Sequence, residues 1–338
     1  MSNLRVAVVG VTGAVGQEML EVLESRKFPV GELVPLASKR SLGKAVRFAG
    51  AELPVQVLNE GSFVGVDLAL FSAGGSISKT LAPVAAEAGA VVVDNSSAFR
   101  MEPDTPLVVP EVNPAAIPAK PGIIANPNCT TIIMVVALAP IHRLSPLTRI
   151  HSATYQAASG AGAKGIDALE REMDGEGAPS SPAEGSPFPY RLAGNVVPRI
   201  DTVNENGYTR EELKMVHETR KIMGLSKIAI SATCVRIPVA RTHSEAVQIS
   251  TERPLELEEI RAALESAPGV IVEDDAARDV YPTPLAVCGR DEVHVGRIRK
   301  HPDDPHTIDL WVVGDQVRKG AALNAVQIAE KVFCGTSN

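Results

Sequence analysis

The N-terminal stretch admits one local arrangement. Leu4–Val9 is a short β-branched run that stops at Gly10, and beyond Gly13 and Gly16 the apolar residues Met19, Leu20, Val22 and Leu23 recur at helical spacing. A strand that turns through glycines into a helix gathers free backbone amides and the positive end of the helix dipole at one point, where an anion can sit. The spacing is G-x-x-G-x-x-G, a variant of the dinucleotide fingerprint G-x-G-x-x-G, and taken alone it is equally well a tight turn. Further strand-like runs at 33–37, 66–72 and 91–94 are separated by stretches such as 78–88 whose apolar positions suit a helix. Such alternation implies a parallel sheet. Pro103, Pro106, Pro110, Pro114, Pro118 and Pro121 then break regular structure, 123–125 reads as one more buried strand, and the domain boundary falls near Cys129.

Beyond residue 147 the character changes. Runs at 149–156, 227–238, 246–251, 293–299 and 307–313 are strand-like and only 210–223 and 257–266 are helix-like, which predicts an antiparallel or mixed sheet. Between Asp174 and Pro198 lies a stretch dense in Pro, Gly and Ser, too long for an ordinary connection, so it is a binding or interface loop or a mobile one. The last stretch, 321–333, is an amphipathic helix able to return to the first domain. At 338 residues and roughly 150 per domain, the chain has room for about two domains.

The charge balance removes several functions. With 33 basic and 40 acidic residues the net charge is −7, and aromatics are only 4%, so neither a phosphate-tracking surface nor base-stacking platforms are expected. The longest apolar run, 130–141, falls well short of the roughly 20 residues that cross a bilayer, and the N-terminus has no leader pattern; the cytoplasm is the expected compartment. Cys129, Cys234, Cys288 and Cys334 are far apart, which suggests neither a zinc site nor a disulfide framework. His301 and His306 flank two carboxylates, but with two prolines between them they read as a solvated turn, and no metal is expected.

Two places carry chemistry. Where an NAD-selective site would set an acidic residue against the ribose, this chain has Ser38, Lys39, Arg40 and Ser41. Two cations and two hydroxyls suit a 2′-phosphate and predict NADP. Cys129 follows NPN and precedes the apolar run, so it stands at the mouth of a helix, where unpaired amides and the dipole favour a thiolate. A nucleophile also needs an acid/base partner and anion-binding groups, and Gln156, Arg236 and His243 stand at the ends of strand-like segments.

These motifs together resemble the bacterial-type aspartate-β-semialdehyde dehydrogenase family from end to end. GVTGAVG, ASKRSLGK, SAGG at 72–75, DNSSAFR, VVPEVNP, NPNCTT, QAASGAG, EELKM, RIPVARTHSEA and KGAALNAVQIAE occur in the family's order. Thr242, where a glycine commonly precedes the histidine, and Ala158 are departures that remove no functional side chain. The resemblance implies an α/β fold: an NADP-binding Rossmann-like domain of residues 1–128 and 320–338, and an α+β catalytic and dimerisation domain of residues 129–319, of the glyceraldehyde-3-phosphate dehydrogenase-like type. It implies NADPH-dependent reductive dephosphorylation of L-aspartyl-4-phosphate to the semialdehyde, in biosynthesis of lysine, methionine, threonine and isoleucine. Cys129 would form a thioester, His243 would be the acid/base and Gln156 would orient the carbonyl. Arg236 would clamp the carboxylate and Glu211 the ammonium, while Lys214 and Arg100 hold phosphate. Gly10, Thr12, Gly13, Ala14, Val15, Ser38, Arg40, Ser41, Ser159, Gly160 and Gln316 would bind the cofactor, with Asn324 a further candidate. The family implies a homodimer or homotetramer. Two other readings remain: an N-acetyl-glutamyl-phosphate reductase, whose substrate has no free ammonium for Glu211 to meet, and a non-catalytic NADP-binding paralogue, which should lack Cys129 or His243.

Overall fold

The structure, a computed structural model, describes residues 3–120, 122–178 and 181–335; Pro121, residues 179 and 180 of the proline-rich stretch, and both extreme termini lie outside the described residues. The chain divides into two compact units, Met1–Asn128 with Ala321–Asn338, and Cys129–Gly320.

In the first unit β1 (Leu4–Val9) leads through the glycine turn to α1 (Ala14–Ser25) and β2 (Val30–Ala37). A hairpin of β3 (Ala45–Phe48) and β4 (Ala51–Pro54) precedes β5 (Gln56–Val57), β6 (Leu68–Phe71), α2 (Gly75–Glu87), β7 (Val91–Asp94) and β8 (Ile123–Ala125). Six of these strands form a parallel sheet in the order β5-β2-β1-β6-β7-β8. That order reverses between β1 and β6, which is the switch point of a doubly wound fold. Both faces are covered, so the strands read as continuous apolar runs: Val6 and Val8 pack with Met19 and Leu23 on one side, Ala7 and Val9 with Phe63 and Ala82 on the other. Each fully buried valine or leucine contributes about 1.5–3 kcal/mol. The C-terminal α8 (Leu323–Phe333) joins the first of these cores through Leu323, Val326 and Ile328, and Arg26 on α1 clamps Glu330 by two bonds of 2.8 Å.

The second unit opens with α3 (Cys129–Leu144), buried from Thr130 to Ile141, as expected of a helix apolar on all sides. There follow β9 (Leu147–Gln156), α4 (Ala163–Met173), α5 (Arg210–Met223), β10 (Ala229–Arg236), β11 (His243–Thr251), α6 (Leu257–Glu265), β12 (Val270–Val272), α7 (Pro284–Val287), β13 (Val293–Lys300) and β14 (Thr307–Gly314). The sheet is mixed, in the order β10-β9-β11-β14-β13-β12, with parallel pairs only at its two edges. Helices α3, α5 and α6 pack against its strands. Residues of the opposite alternation, including Tyr155 and Trp311 with ring centroids 5.4 Å apart, remain partly exposed. Residues 301–306 connect antiparallel β13 and β14, closed by a His301 N–H to Thr307 O bond of 2.9 Å. The Pro- and Gly-rich stretch is packed onto α4: the buried Glu172 carboxylate accepts the N–H groups of Ala183, Leu192 and Ala193 at 2.7–3.0 Å, and Phe188, Leu192 and Val197 form a small core with Leu169. Among the described residues no helix is long and apolar enough to cross a membrane.

Candidate active site

In the second unit, strand register brings three of the expected side chains to one end of the sheet. Gln156 closes β9 opposite Arg236 at the end of β10, and His243 opens β11 one step from the Ser244–Tyr155 pair. The side-chain alternation of strands then points Gln156, Arg236 and His243 to the same, helix-covered face. Glu211 reaches them from α5, whose start is fixed by a capping box: Thr209 Oγ1 accepts the Glu212 N–H at 3.2 Å, and Glu212 Oε2 accepts the Thr209 N–H at 2.7 Å. Gly224, left-handed at φ +68°, ends the helix.

The hydrogen bonds decide what each group can do. His243 is fully buried, and its Nδ1 accepts the Ala157 N–H at 3.0 Å, so the neutral ring carries its proton on Nε2. Burial, reinforced by the charge of Arg236, pushes its pKa down to about 3, and the ring is neutral at physiological pH. Gln156 is held at both ends: Oε1 accepts the Thr154 hydroxyl at 2.9 Å, and Nε2 donates to Glu211 Oε1 at 3.1 Å. The two Nε2 atoms of Gln156 and His243 lie 3.5 Å apart. Both are donors, so neither satisfies the other, and together they define a place for an acceptor oxygen that can gain negative charge.

Around this pair stand opposite charges. Arg236, 6% exposed, donates from Nη1 to Ala157 O at 2.5 Å and lies 5.8 Å from the centroid of the Phe188 ring. Glu211 Oε2 accepts Lys214 Nζ at 2.9 Å, and Lys214 also reaches Asp201 Oδ2 at 3.2 Å. Cys129, half-buried at the first turn of α3, is close enough for a thiolate there to act on the Arg236 guanidinium. Gly320 is packed against it, since a Cβ there would come within 2.9 Å of Cys129 Cβ. Ser159 and Gly160 lie in the short helical turn Ala158–Ala161, whose start is tied to Val239 O and Ala240 O. The side chain of Gln316 accepts the Thr242 N–H at 2.7 Å and donates to Ser159 Oγ, so it joins the residue before His243 to the glycine-rich turn.

In the first unit Gly10 has φ +83°, and a Cβ on it would meet Ser72 O at 2.6 Å, directly at the switch point. Gly16 is equally obligatory, with Gly10 O at 2.4 Å from its would-be Cβ. Thr12, Gly13, Ala14 and Val15 complete the turn into α1, and Thr12 Oγ1 bonds Ser41 Oγ at 3.1 Å. Ser38 and Arg40 are exposed beside it, and a cavity of about 880 Å³ is lined by Ser38, Lys39, Leu58, Asn59, Ile77 and Leu81. Arg100 is buried, with Nε on Asn126 O and Nη2 on Asn95 O, both at 2.9 Å. Asn324 donates to Val108 O at 3.0 Å and Asn126 Oδ1 at 2.7 Å.

Residues 5–120 match the family model for the semialdehyde dehydrogenase NAD binding domain, and residues 138–319 that for the semialdehyde dehydrogenase dimerisation domain. Aspartate-semialdehyde dehydrogenase of Aquifex aeolicus is 54% identical over 329 residues, covering 96% of this chain and 97% of that one. The chain belongs to the aspartate-semialdehyde dehydrogenase family. Its fold agrees: the crystal structure of aspartate semialdehyde dehydrogenase II from Vibrio cholerae, complexed with ASA, is similar at a TM-score of 0.92 and 49% identity over 98% of each chain. That of the enzyme with NADP from Candida albicans is similar at 0.75 and 28% identity, covering 97% of this chain and 98% of that one.

For a member of the aspartate-semialdehyde dehydrogenase family, one buried group was not expected from the sequence. Glu245 is fully buried on β11, two residues from His243 on the same face, and neither carboxylate oxygen has a hydrogen-bond partner among the described residues. Burial raises its pKa well above the usual 4.5. The folded protein therefore holds a proton that the unfolded chain releases, so stability falls as pH rises from about 4.5 toward the folded pKa. His243 has the opposite sign, gaining stability as pH rises from about 3 to 6.5, and the buried Cys234 thiol, its pKa raised by burial, adds to the loss only above about pH 8, so the window from about pH 6.5 to 8 belongs to Glu245. There, Glu245→Gln is expected to become more stable relative to wild type by up to about 1.4 kcal/mol per pH unit. Urea unfolding at several pH values in that window checks this, and a pH-independent difference would refute it.

Proposed function

We propose that this family member catalyses the reversible, NADPH-dependent conversion of L-aspartyl-4-phosphate to L-aspartate-4-semialdehyde and phosphate through a Cys129 thioester, in the cytoplasmic biosynthesis of lysine, diaminopimelate, methionine, threonine and isoleucine. The observation that carries this reading is the pair of convergent donors, Gln156 and His243 Nε2, with Glu211 bonded to the first and the charge of Arg236 acting on the second. An amino acid with a reactive side-chain carbonyl fits that set. Arg236 meets the α-carboxylate with its planar fork, Glu211 meets the α-ammonium, and the two donors hold the carbonyl oxygen. The Cys129 thiolate attacks the acyl phosphate carbon, the carbon–oxygen bond to phosphate breaks, and the phosphate leaves toward Lys214. As the carbonyl oxygen becomes an oxyanion, His243 and Gln156 stabilise it. In this tautomer the acid/base role expected of His243 narrows to hydrogen-bond donation to that oxyanion from Nε2, the ring atom not tied to the backbone. Glu211 is what separates this reading from an N-acetyl-glutamyl-phosphate reductase: an acylated nitrogen brings no cation for its carboxylate to meet.

The glycine turn fits a dinucleotide, because a Cβ at Gly10 or Gly16 would strike neighbouring backbone, so only glycine allows a turn this tight, and α1 opens with no side-chain cap on its N–H groups. When bound, NADPH supplies the hydride. The residues that would hold it are Gly10, Thr12, Gly13, Ala14 and Val15 for the pyrophosphate, Ser38, Arg40 and Ser41 for the 2′-phosphate, and Ser159, Gly160 and Gln316 for the nicotinamide end. The half-exposed face of the mixed sheet, with Tyr155 and Trp311, suits burial against a second copy, and we assign the protein as a homodimer.

The test is NADPH formation from NADP and phosphate, with aspartate semialdehyde in one assay and N-acetyl-glutamate semialdehyde in another. Turnover of the free amine alone supports the proposal; turnover of the acetylated substrate moves the chain to the other reductase, and silence with both refutes catalysis. Arg40→Ala should raise KM for NADP about 10- to 100-fold, the worth of one charge-assisted contact to phosphate, and leave the weaker NAD reaction nearly unchanged. Equal effects on both cofactors would remove Arg40 from the 2′-phosphate site.

A further inference from the structure

Lys214 is assigned above to phosphate, yet its ammonium lies between two carboxylates, Glu211 Oε2 at 2.9 Å and Asp201 Oδ2 at 3.2 Å. One cation between two anions offers a dianion no net attraction. Glu211 loses its surplus charge once the substrate ammonium is seated; nothing in the reaction offers the same to Asp201. Lys214 is the one cation that pairs with the Asp201 carboxylate among the described residues.

Asp201 is also built into place. Its backbone is left-handed at φ +69°, a conformation that costs a non-glycine residue free energy, though aspartate and asparagine tolerate it best. Its Oδ1 accepts the Thr202 N–H at 2.7 Å, Thr202 O accepts the Arg210 N–H at 2.9 Å, and Val203 bridges Thr209. The turn is thereby moored to the first residues of α5, and the carboxylate faces the side chain one turn along. Burial opposes the charge on Lys214, yet Glu211 and Asp201 outweigh it and lift its pKa above the usual lysine value. Burial likewise raises that of Asp201, but the Thr202 hydrogen bond and Lys214 bring it below the usual carboxylate range. The side chains of Lys214 and Asp201 stay 26% and 31% exposed, so an anion can approach from solvent.

We infer that Asp201 is the resting counter-ion of Lys214, a positioning residue that occupies the lysine until phosphate displaces it and so sets the affinity of the site for phosphate. The inference rests on the proposed role of Lys214. In the direction that consumes semialdehyde, the carboxylate competes with inorganic phosphate for one ammonium group. Asp201→Asn removes the charge while keeping the turn, because asparagine accepts the same φ and its carbonyl oxygen can take the Thr202 N–H.

The experiment measures KM for inorganic phosphate and for semialdehyde in wild type, D201N, K214Q and the double variant, with melting temperatures alongside. D201N should lower KM for phosphate about three- to fivefold, the range for a part-exposed pair, with KM for semialdehyde moving much less, and the decrease should vanish in the K214Q background. Asp201→Gly, which adopts the left-handed conformation freely, should give the same shift if D201N folds poorly. A phosphate KM that is unchanged or raised in a well-folded D201N would overturn the inference, as would a decrease that persists without Lys214. If K214Q itself leaves the phosphate KM at the wild-type value, the phosphate role of Lys214 fails and the inference falls with it.

Discussion

Cys129→Ser should lower kcat by at least about 10³-fold while changing the Kd for NADPH less than about twofold. A thiol at a helix N-terminus ionises within reach of neutral pH, whereas a serine hydroxyl in the same place does not. The usual remedy for a serine, an adjacent base, is blocked here: the Ala157 N–H occupies His243 Nδ1, and the opposite nitrogen bears the proton. Losing the thiolate thus removes about 4 kcal/mol or more of transition-state stabilisation. The substitution is small and at a half-buried position, so folding and the glycine turn of the first unit should be unaffected. Two measurements separate the nucleophile from a merely structural cysteine. Fluorescence titration with NADPH should give near-wild-type affinity. Rapid mixing with aspartyl phosphate in the absence of NADPH should release about one phosphate per site as a burst in wild type and none in the serine variant. A serine enzyme turning over within tenfold of wild type would end the assignment of Cys129.

Much of the first unit could be read before the structure because burial on both sheet faces leaves a simple signature. Strands at 91–94 and 123–125 fall where the apolar runs put them. The hairpin of β3 and β4 and the short strands β5 and β12 went unread, being partly exposed and lacking the continuous buried apolar run of β7 and β8. Helix α4 was missed for a different reason. Its inward positions Leu169 and Ala168 are followed by Glu172, a charge where a periodic reading wants an apolar residue. That carboxylate faces inward to bind the backbone of residues 183, 192 and 193, and this contact also explains why the long Pro- and Gly-rich stretch is packed.

The same physics limited what could be seen of the site. The expected strand began at Ala246, but β11 starts at His243, because His243 and Glu245 are polar residues on a buried face. Sequence pattern treats such residues as loop or surface. The motif identified the histidine, and only the backbone of Ala157 could show which ring nitrogen it uses. Glu211 and Lys214 were pairable from their spacing on a helix. Asp201 could not be added to them from sequence, since it arrives from a left-handed turn outside that helix. Phe188, under Arg236, likewise comes from the stretch that pattern left open.

Arg236→Lys is expected to raise KM for aspartate semialdehyde about 100-fold or more, with a smaller fall in kcat. The charge is retained, so a simple Coulomb account would predict little change; geometry predicts otherwise. Arg236 uses one guanidinium nitrogen on Ala157 O and its Cζ lies over the Phe188 ring, 5.8 Å from the centroid, which holds the remaining fork in direction for a bidentate carboxylate. A lysine ammonium is a point donor on a flexible stem. It can satisfy Ala157 O or the substrate, and beside a residue only 6% exposed the carboxylate it fails to meet loses solvent as well. Two charge-assisted hydrogen bonds reduced to one or none, each worth about 1.5–3 kcal/mol, correspond to roughly 10- to 100-fold or more in binding. The chemical step depends on Cys129, Gln156 and His243, so the loss should appear mainly in KM. The comparison that decides is with a substrate lacking the α-carboxylate, such as 3-aminopropanal. Wild type should use it as poorly as the lysine variant does, and the variant should lose little further on the same change of substrate. If Arg236→Lys weakens both substrates by the same factor, the arginine supports the shape of the site and some other group reads the carboxylate.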